Sequence, residues 1–432
     1  MNQKYAKNRQ FKYQFKTQLH IKTLIYNIKT LVQVEHTPQN MVRGLDMKQL
    51  NHIDNAYLLL DDDRIHSFGI QGENLPLADS VIDAKGGMVF PSWCDSHTHL
   101  VFAASRESEF VDRINGLSYQ EIAEKGGGIL NSAKRLQALS EDELYEQALI
   151  RLKEVISMGT GLIEIKSGYG LTVEAELKML RVIKRLKAVS PIPIKATFLG
   201  AHAFPMEYKT ERRQVYIYMI IDEMLPVIAK EQLADYIDVF CEKNFFQVHE
   251  MEQILVAGAK YGLAAKVHVN QFNCMGGIAA AIRHNAISVD HLEVLDDEDI
   301  MALQQSNCIA TLLPSAPFFL NDHYPPARKI LDANIPVALA SDYNPGTAPS
   351  GKMAFVVALA CINMKMTPEE AINAATINGA AALGMSADYG SIAVGKVANL
   401  FITKAIPSIA YLPYAFGSDL IDKVILSGKV NA

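Results

Sequence analysis

The chain has 432 residues, 49% hydrophobic, 20% charged and 8% aromatic, which is the composition of a globular protein with a large core and excludes disordered, collagenous and coiled-coil classes. Its 41 lysines and arginines against 47 acids leave a net charge of −6, without the basic excess a phosphate backbone demands, so no nucleic acid partner is expected. The longest uninterrupted apolar run, Met353 to Ile362, has ten residues where a spanning helix needs about 20, so no membrane partner is expected either.

The first 30 residues carry six lysines and Arg9 but no acid, and no apolar stretch follows as a secretory signal requires, so residues 1–19 read as a basic tail. From 20 to 86 short apolar strands alternate with turn residues, Ala56 to Leu60 for example, and predict one part of a small β domain. Eight short apolar runs then follow within 87–384: Met88 to Phe90, Gly161 to Ile165, Ile192 to Leu199, Tyr236 to Phe240, Ala264 to Val269, Ile287 to His291, Ile309 to Leu313 and Ile335 to Ala340. They are almost continuously hydrophobic, as parallel strands covered on both faces are.

Helices fit between these runs. Ser140 and Glu143 form a capping-box pattern, with apolar residues recurring at Leu144, Ala148, Leu152 and Val155; Thr367-Pro368-Glu369-Glu370 is a second start. Strand then helix, eight times over, predicts an α/β (β/α)8 TIM-like barrel. Strand patterns resume from 385 to 432, at Val397 to Ile402 and Val424 to Leu426, so both chain ends are expected to build a small flanking β-sandwich domain.

Five cysteines, at 94, 241, 274, 308 and 361, are odd in number and include no C-x-x-C pair. Free thiols in a reducing cytoplasm fit that pattern, and a cysteine metal cluster does not.

Chemistry in such barrels sits at the carboxyl ends of the strands. The first run leads into Asp95-Ser96-His97-Thr98-His99, where alternation along an extended chain points His97 and His99 the same way. The fifth run carries His268, the sixth His291, and the eighth leads to Asp342. His97, His99, His268 and Asp342 make a donor set for one divalent metal ion, Zn2+ or Fe2+, with a water in the open position; donor type does not choose between the two metals. Such an ion lowers the pKa of a bound water by roughly eight to nine units, which points to a hydrolase. With the shell filled, His291 is expected beside it, acting in catalysis with Asp342.

Several motifs narrow the reading: Asp95 to Leu100 with Val101 to Glu107, Glu164-Ile165-Lys166-Ser167-Gly168-Tyr169-Gly170-Leu171, Leu199-Gly200-Ala201-His202 and Asp342-Tyr343-Asn344-Pro345-Gly346-Thr347. Over about residues 20–430 the chain resembles the imidazolonepropionase family of the amidohydrolase superfamily. The resemblance implies metal-dependent opening of a cyclic amide, 4-imidazolone-5-propanoate, by water to N-formimidoyl-L-glutamate in histidine degradation. It implies His97, His99, His268 and Asp342 as ligands, with Arg106, Tyr119, Tyr169, His202, Gln271, Asn344, Gly346 and Thr347 around the substrate, and a homodimer. Arg106 suits the propionate because a guanidinium can bond both carboxylate oxygens.

Related deaminases carry a glutamate three residues after the histidine of the fifth strand. Here that position is Gln271, which removes a titratable group and shifts proton transfer to Asp342 and His291. Thr347 stands where many relatives have serine. A carboxylated Lys166 bridging two metals is the alternative use of that lysine, and the resemblance, to a branch with one ion, argues against it. The rival functions are another mononuclear amidohydrolase, acting on a purine, a pyrimidine or another cyclic amide, and a metal-binding scaffold without turnover.

Overall fold

The computed structural model describes residues 20–117, 121 and 127–431; the basic tail and Tyr119 lie outside them. The chain begins with β1 (Lys22–Val32), β2 (His52–Asp61), β3 (Arg64–Ile70), β4 (Ser80–Asp83) and β5 (Val89–Pro91). The barrel strands follow: β6 (Trp93–Asp95), β7 (Thr160–Lys166), β8 (Ile194–Ala201), β9 (Tyr236–Cys241), β10 (Ala264–Val269), β11 (Ser288–His291), β12 (Ile309–Leu312) and β13 (Val337–Leu339). The chain ends with β14 (Leu400–Thr403), β15 (Ile421–Leu426) and β16 (Lys429–Val430).

Strands β6 to β13 pair in sequential order, all parallel. The seam between first and last closes just beyond them, through a parallel bridge between Thr98 and Tyr343. There Asp342 N donates to His97 O at 3.0 Å and His99 N to Tyr343 O at 2.9 Å. The two chain segments that bear His97, His99 and Asp342 are therefore stitched together by the bonds that complete the barrel.

The flanking domain is one hydrogen-bonded sheet in the order β16-β15-β14-β5-β1-β2-β3, with β4 alongside β1. It curls until its two ends meet: Ala398 N donates to Asp63 O, and the β15–β16 turn at Gly428 lies against Asp62. Ile25, Ile28, Leu31, Leu58, Leu60, Ile402 and Ile425 fill the space inside.

The run Met88 to Phe90 was expected to be the first barrel strand, and the structure corrects this. Val89 pairs with Leu31 of β1 and Phe90 with Phe401 of β14, so this run belongs to the flanking sheet. The barrel starts at Trp93, two residues beyond Pro91 at the end of β5. With only Ser92 between the two strands, the chain crosses from sheet to sheet without a turn, and a single polar residue is too short a break to divide the run in the sequence. The Phe401 ring sits at this junction, 5.1 Å from Phe90 and 4.9 Å from Trp93, centroid to centroid.

The helices begin where the caps predict. Ser140 accepts from Glu143 N and Thr367 from Glu370 N, and both glutamates return the bond to the cap's own amide. Met353 to Ile362 lies in a helix, Met353–Met364, and among the described residues no helix is long and apolar enough to cross a membrane.

Candidate metal and catalytic centre

His97, His99 and His268 are buried, and the three can bring ligating nitrogens within 4.8 Å of one another. His99 Nε2 lies 3.3 Å from His268 Nε2, and Asp342 Oδ1 is 3.6 Å from both His97 Nε2 and His99 Nε2. Carboxylates fix two of the rings from behind. His97 Nδ1 donates to Asp290 Oδ2 at 2.6 Å, and His268 Nδ1 donates to Asp238 Oδ2 at 2.8 Å. With the proton on Nδ1, each ring turns its Nε2 lone pair toward the common space.

His97 Nε2 is fully buried and has no hydrogen-bond partner. A buried acceptor left unsatisfied costs about 1–3 kcal/mol, and a cation satisfies it. Burial pushes all three imidazoles well below the usual histidine range, which keeps them in the neutral, ligating form. The donor set fits one divalent metal ion.

Asp342 and His291, the pair expected to act in catalysis, stand at the same strand ends. Burial pushes the Asp342 carboxyl up to about 7, against the opposing pull of His291. For His291 burial lowers the pKa, but the charges of Glu293, Asp342 and Asp290 and a 3.3 Å hydrogen bond from Nδ1 to Glu293 Oε1 outweigh it and raise it to about 9. Both residues occupy left-handed backbone, φ 55° at Asp342 and 92° at His291, a strained conformation for a non-glycine residue, worth of order 1–3 kcal/mol each.

Beneath the histidines lies a layer of buried charge. Lys166 Nζ is 2.9 Å from both Glu164 Oε1 and Asp238 Oδ2 and 3.8 Å from Asp290 Oδ2, and Glu164 also accepts from the Thr197 hydroxyl. Three carboxylates around Nζ hold an ammonium. A carboxylated lysine there would add a fourth negative group, so the bridging role has no support in this arrangement.

The residues expected around the substrate gather above. Tyr169 packs edge-on to His99 at 5.7 Å, and the His202 ring stacks on His99 at 5.3 Å and 17°. His202 Nδ1 donates to Gly168 O at 3.0 Å, and burial brings its pKa down to about 4, so its Nε2 is an acceptor at neutral pH. The Arg106 guanidinium lies 5.8 Å from the Tyr169 ring centre, and its Nε donates to Ser132 Oγ at 2.8 Å. Gln271 is buried just past β10.

Asn344 spends its whole side chain on the loop that carries it. Oδ1 accepts from Gly346 N at 2.7 Å and Thr347 N at 2.8 Å, while Nδ2 donates to Asp342 O at 2.7 Å and Thr347 Oγ1 at 2.9 Å. It shapes the Asp342-to-Thr347 turn. Tyr119 lies outside the described residues.

The profile described as Amidohydrolase family matches residues 88–430. An imidazolonepropionase from Flavobacterium johnsoniae is 59% identical over 94% of this chain and 99% of its own length. One from Christiangramia forsetii is 57% identical over 94% and 99%. This chain belongs to the imidazolonepropionase family of amidohydrolases. Its fold is also that of a 5-methylcytosine deaminase from Klebsiella pneumoniae, with a TM-score of 0.72 over 95% of this chain and 98% of that one at 16% identity.

Four acids that shape this imidazolonepropionase-family site escape the motif reading: Asp238, Asp290, Glu293 and Glu176. Glu176 accepts from Gly168 N at 3.0 Å, Gly170 N at 2.6 Å and Leu171 N at 3.0 Å, and so folds the loop that bears Tyr169. A signal existed for two of them: Asp238 is the one charge in the apolar run Tyr236 to Phe240 and Asp290 the one carboxylate in the run Ile287 to His291, where an unpaired carboxylate would not survive burial. Glu176 and Glu293 lie in a helix and a loop, where a glutamate attracts no notice.

Proposed function

We propose that this chain hydrolyses the ring amide of 4-imidazolone-5-propanoate to N-formimidoyl-L-glutamate, with Zn2+ or Fe2+ held by His97, His99, His268 and Asp342. The observation that carries the reading is the placing of an arginine fork, a neutral histidine acceptor and the metal-binding cluster at one end of one barrel. When bound, the ion acidifies the attacking water and polarises the ring carbonyl.

Arg106 bonds the propionate and fixes the distance from that carboxylate to the carbonyl that reacts. His202 Nε2 accepts a hydrogen bond from the imidazolone ring, and Tyr169 closes the side beside it. Asp342 takes a proton from water as the oxygen joins the carbonyl carbon. His291, protonated and held by Glu293, donates to the oxygen on which negative charge develops. The carbon–nitrogen bond of the ring then breaks and the nitrogen receives the proton Asp342 holds, so the ring opens with no loss of ammonia. Gln271 cannot carry that proton, which favours ring opening over the deaminations that need a glutamate there.

Phe318 and Phe416, both about half exposed and both packed on Phe355, support a homodimer, to be read by light scattering. Five free cysteines, three of them buried, support a cytoplasmic setting. The direct test is to give the purified chain freshly generated 4-imidazolone-5-propanoate and follow product and ammonia together. N-formimidoyl-L-glutamate without ammonia is the expected result. Ammonia release from purines or pyrimidines, with the imidazolone left intact, would replace this function by an aminohydrolase one.

A further inference from the structure

We propose that Lys166 is a positioning residue for the metal centre, its one ammonium holding both carboxylates that orient the histidine ligands. Asp238 Oδ2 accepts from His268 Nδ1 at 2.8 Å and from Lys166 Nζ at 2.9 Å. Asp290 Oδ2 accepts from His97 Nδ1 at 2.6 Å and lies 3.8 Å from the same Nζ. Two ligands from β6 and β10, backed by acids from β9 and β11, thus meet at a single nitrogen supplied by β7. All the side chains concerned are buried, so no water competes for these contacts.

The neighbouring lysine does not do the same work. Lys266 Nζ donates to the carbonyls of Ser96 at 3.1 Å and Ala382 at 3.4 Å, and stands 3.7 Å from Glu164 and 3.9 Å from Asp290. It has no contact with Asp238, the acid behind His268. Without Lys166, Asp238 loses the ammonium 2.9 Å from it and the His268 imidazole bonded to it turns, while Asp290 keeps Lys266 at 3.9 Å and loses only part of its hold on His97. Outer partners of this kind typically govern metal affinity by 10- to 100-fold. The lysine of the Glu164-to-Leu171 motif thereby acquires a role that neither bridging nor substrate contact supplies.

The inference rests on His97 and His268 being ligands, and its test separates the two ideas. Zn2+ affinity of the metal-stripped full chain is measured by competition with a chelating dye, and the visible spectrum of the Co2+-loaded chain reports ligand geometry. Lys166→Met should lose tenfold or more in Zn2+ affinity and alter the Co2+ spectrum, whereas Lys266→Met should stay within about threefold of native. In an Asp238→Asn background the loss on Lys166→Met should shrink, since part of its path is already cut. Circular dichroism establishes folding, and Lys166→Gln, which lacks the charge that holds the two acids and should show the same loss, takes the place of the methionine variant if that one does not fold. Native-like affinity and spectrum in a folded Lys166 variant, or an equal loss in both backgrounds, would overturn the proposal. Tight stoichiometric metal in His97→Ala and His268→Ala would instead overturn the ligand assignment.

Discussion

Gly346 lacks a side chain where a neighbour needs the room: a β-carbon placed there would lie 2.7 Å from Arg106 Nη1. The clash is with the mobile end of a side chain, so the substitution should be cheap for folding and costly for the anchor. Gly346→Ala is expected to leave the melting temperature almost unchanged while raising KM, and Arg106→Ala to raise KM further with the metal still bound. Steady-state kinetics beside metal analysis checks both. His291 gives a pH prediction. In the proposed mechanism His291 acts protonated, so activity should fall on the alkaline side, where the imidazolium sustained by Glu293, Asp342 and Asp290 loses its proton. Glu293→Gln removes the charge that most opposes burial and should move this descending limb to lower pH. A limb that stays in place would show that another group sets it.

At the scale of elements, the loop after β7 shows how far local sequence carries the argument. Gly168, with φ +113°, can be replaced by no other residue without strain, and a β-carbon there would meet His202 Nδ1 at 2.9 Å. The Ser-Gly-Tyr-Gly stretch stands out in the sequence as part of a motif, but the group that holds it, Glu176, lies on the following helix and bonds three loop amides. Glu176→Ala leaves those donors buried without partners, so a loss of about 3 kcal/mol or more is expected, together with displacement of Tyr169 and a raised KM. Thermal melts and kinetics measure the two effects. The strand ends were legible because buried parallel strands are uniformly apolar and a histidine at their end stands out. The division between β5 and β6 was not, because the crossing is the single residue Ser92, too short a polar break to separate two strands. Asp238 and Asp290 were visible only as misplaced charges, since their partners come from other strands.

Across the whole molecule, the strand ends that bear His97, His99, His268 and Asp342 hang on a barrel whose first strand follows the flanking sheet after one residue. Phe401 joins the two units by packing on Phe90 from one and Trp93 from the other. Phe401→Ala should cost about 3–5 kcal/mol. Trp93 is the chain's one tryptophan, so its fluorescence reports the junction. If the two units are coupled, fluorescence and far-ultraviolet circular dichroism should melt together at a lowered temperature, and separate transitions would mean that they unfold independently. Sequence periodicity revealed both units, while their joint, built from residues more than 300 positions apart, required the fold.

The central claim is that His97, His99, His268 and Asp342 hold one divalent ion without which the imidazolone ring is not opened. The most direct test strips the purified chain with a chelator, restores Zn2+ or Fe2+ in steps, and follows bound metal and the loss of 4-imidazolone-5-propanoate together, with His97→Ala in parallel. Activity should vanish with the ion, return in proportion to about one equivalent of metal, and stay absent in His97→Ala. Full turnover in the stripped chain, or undiminished metal content and activity in His97→Ala, would contradict the account.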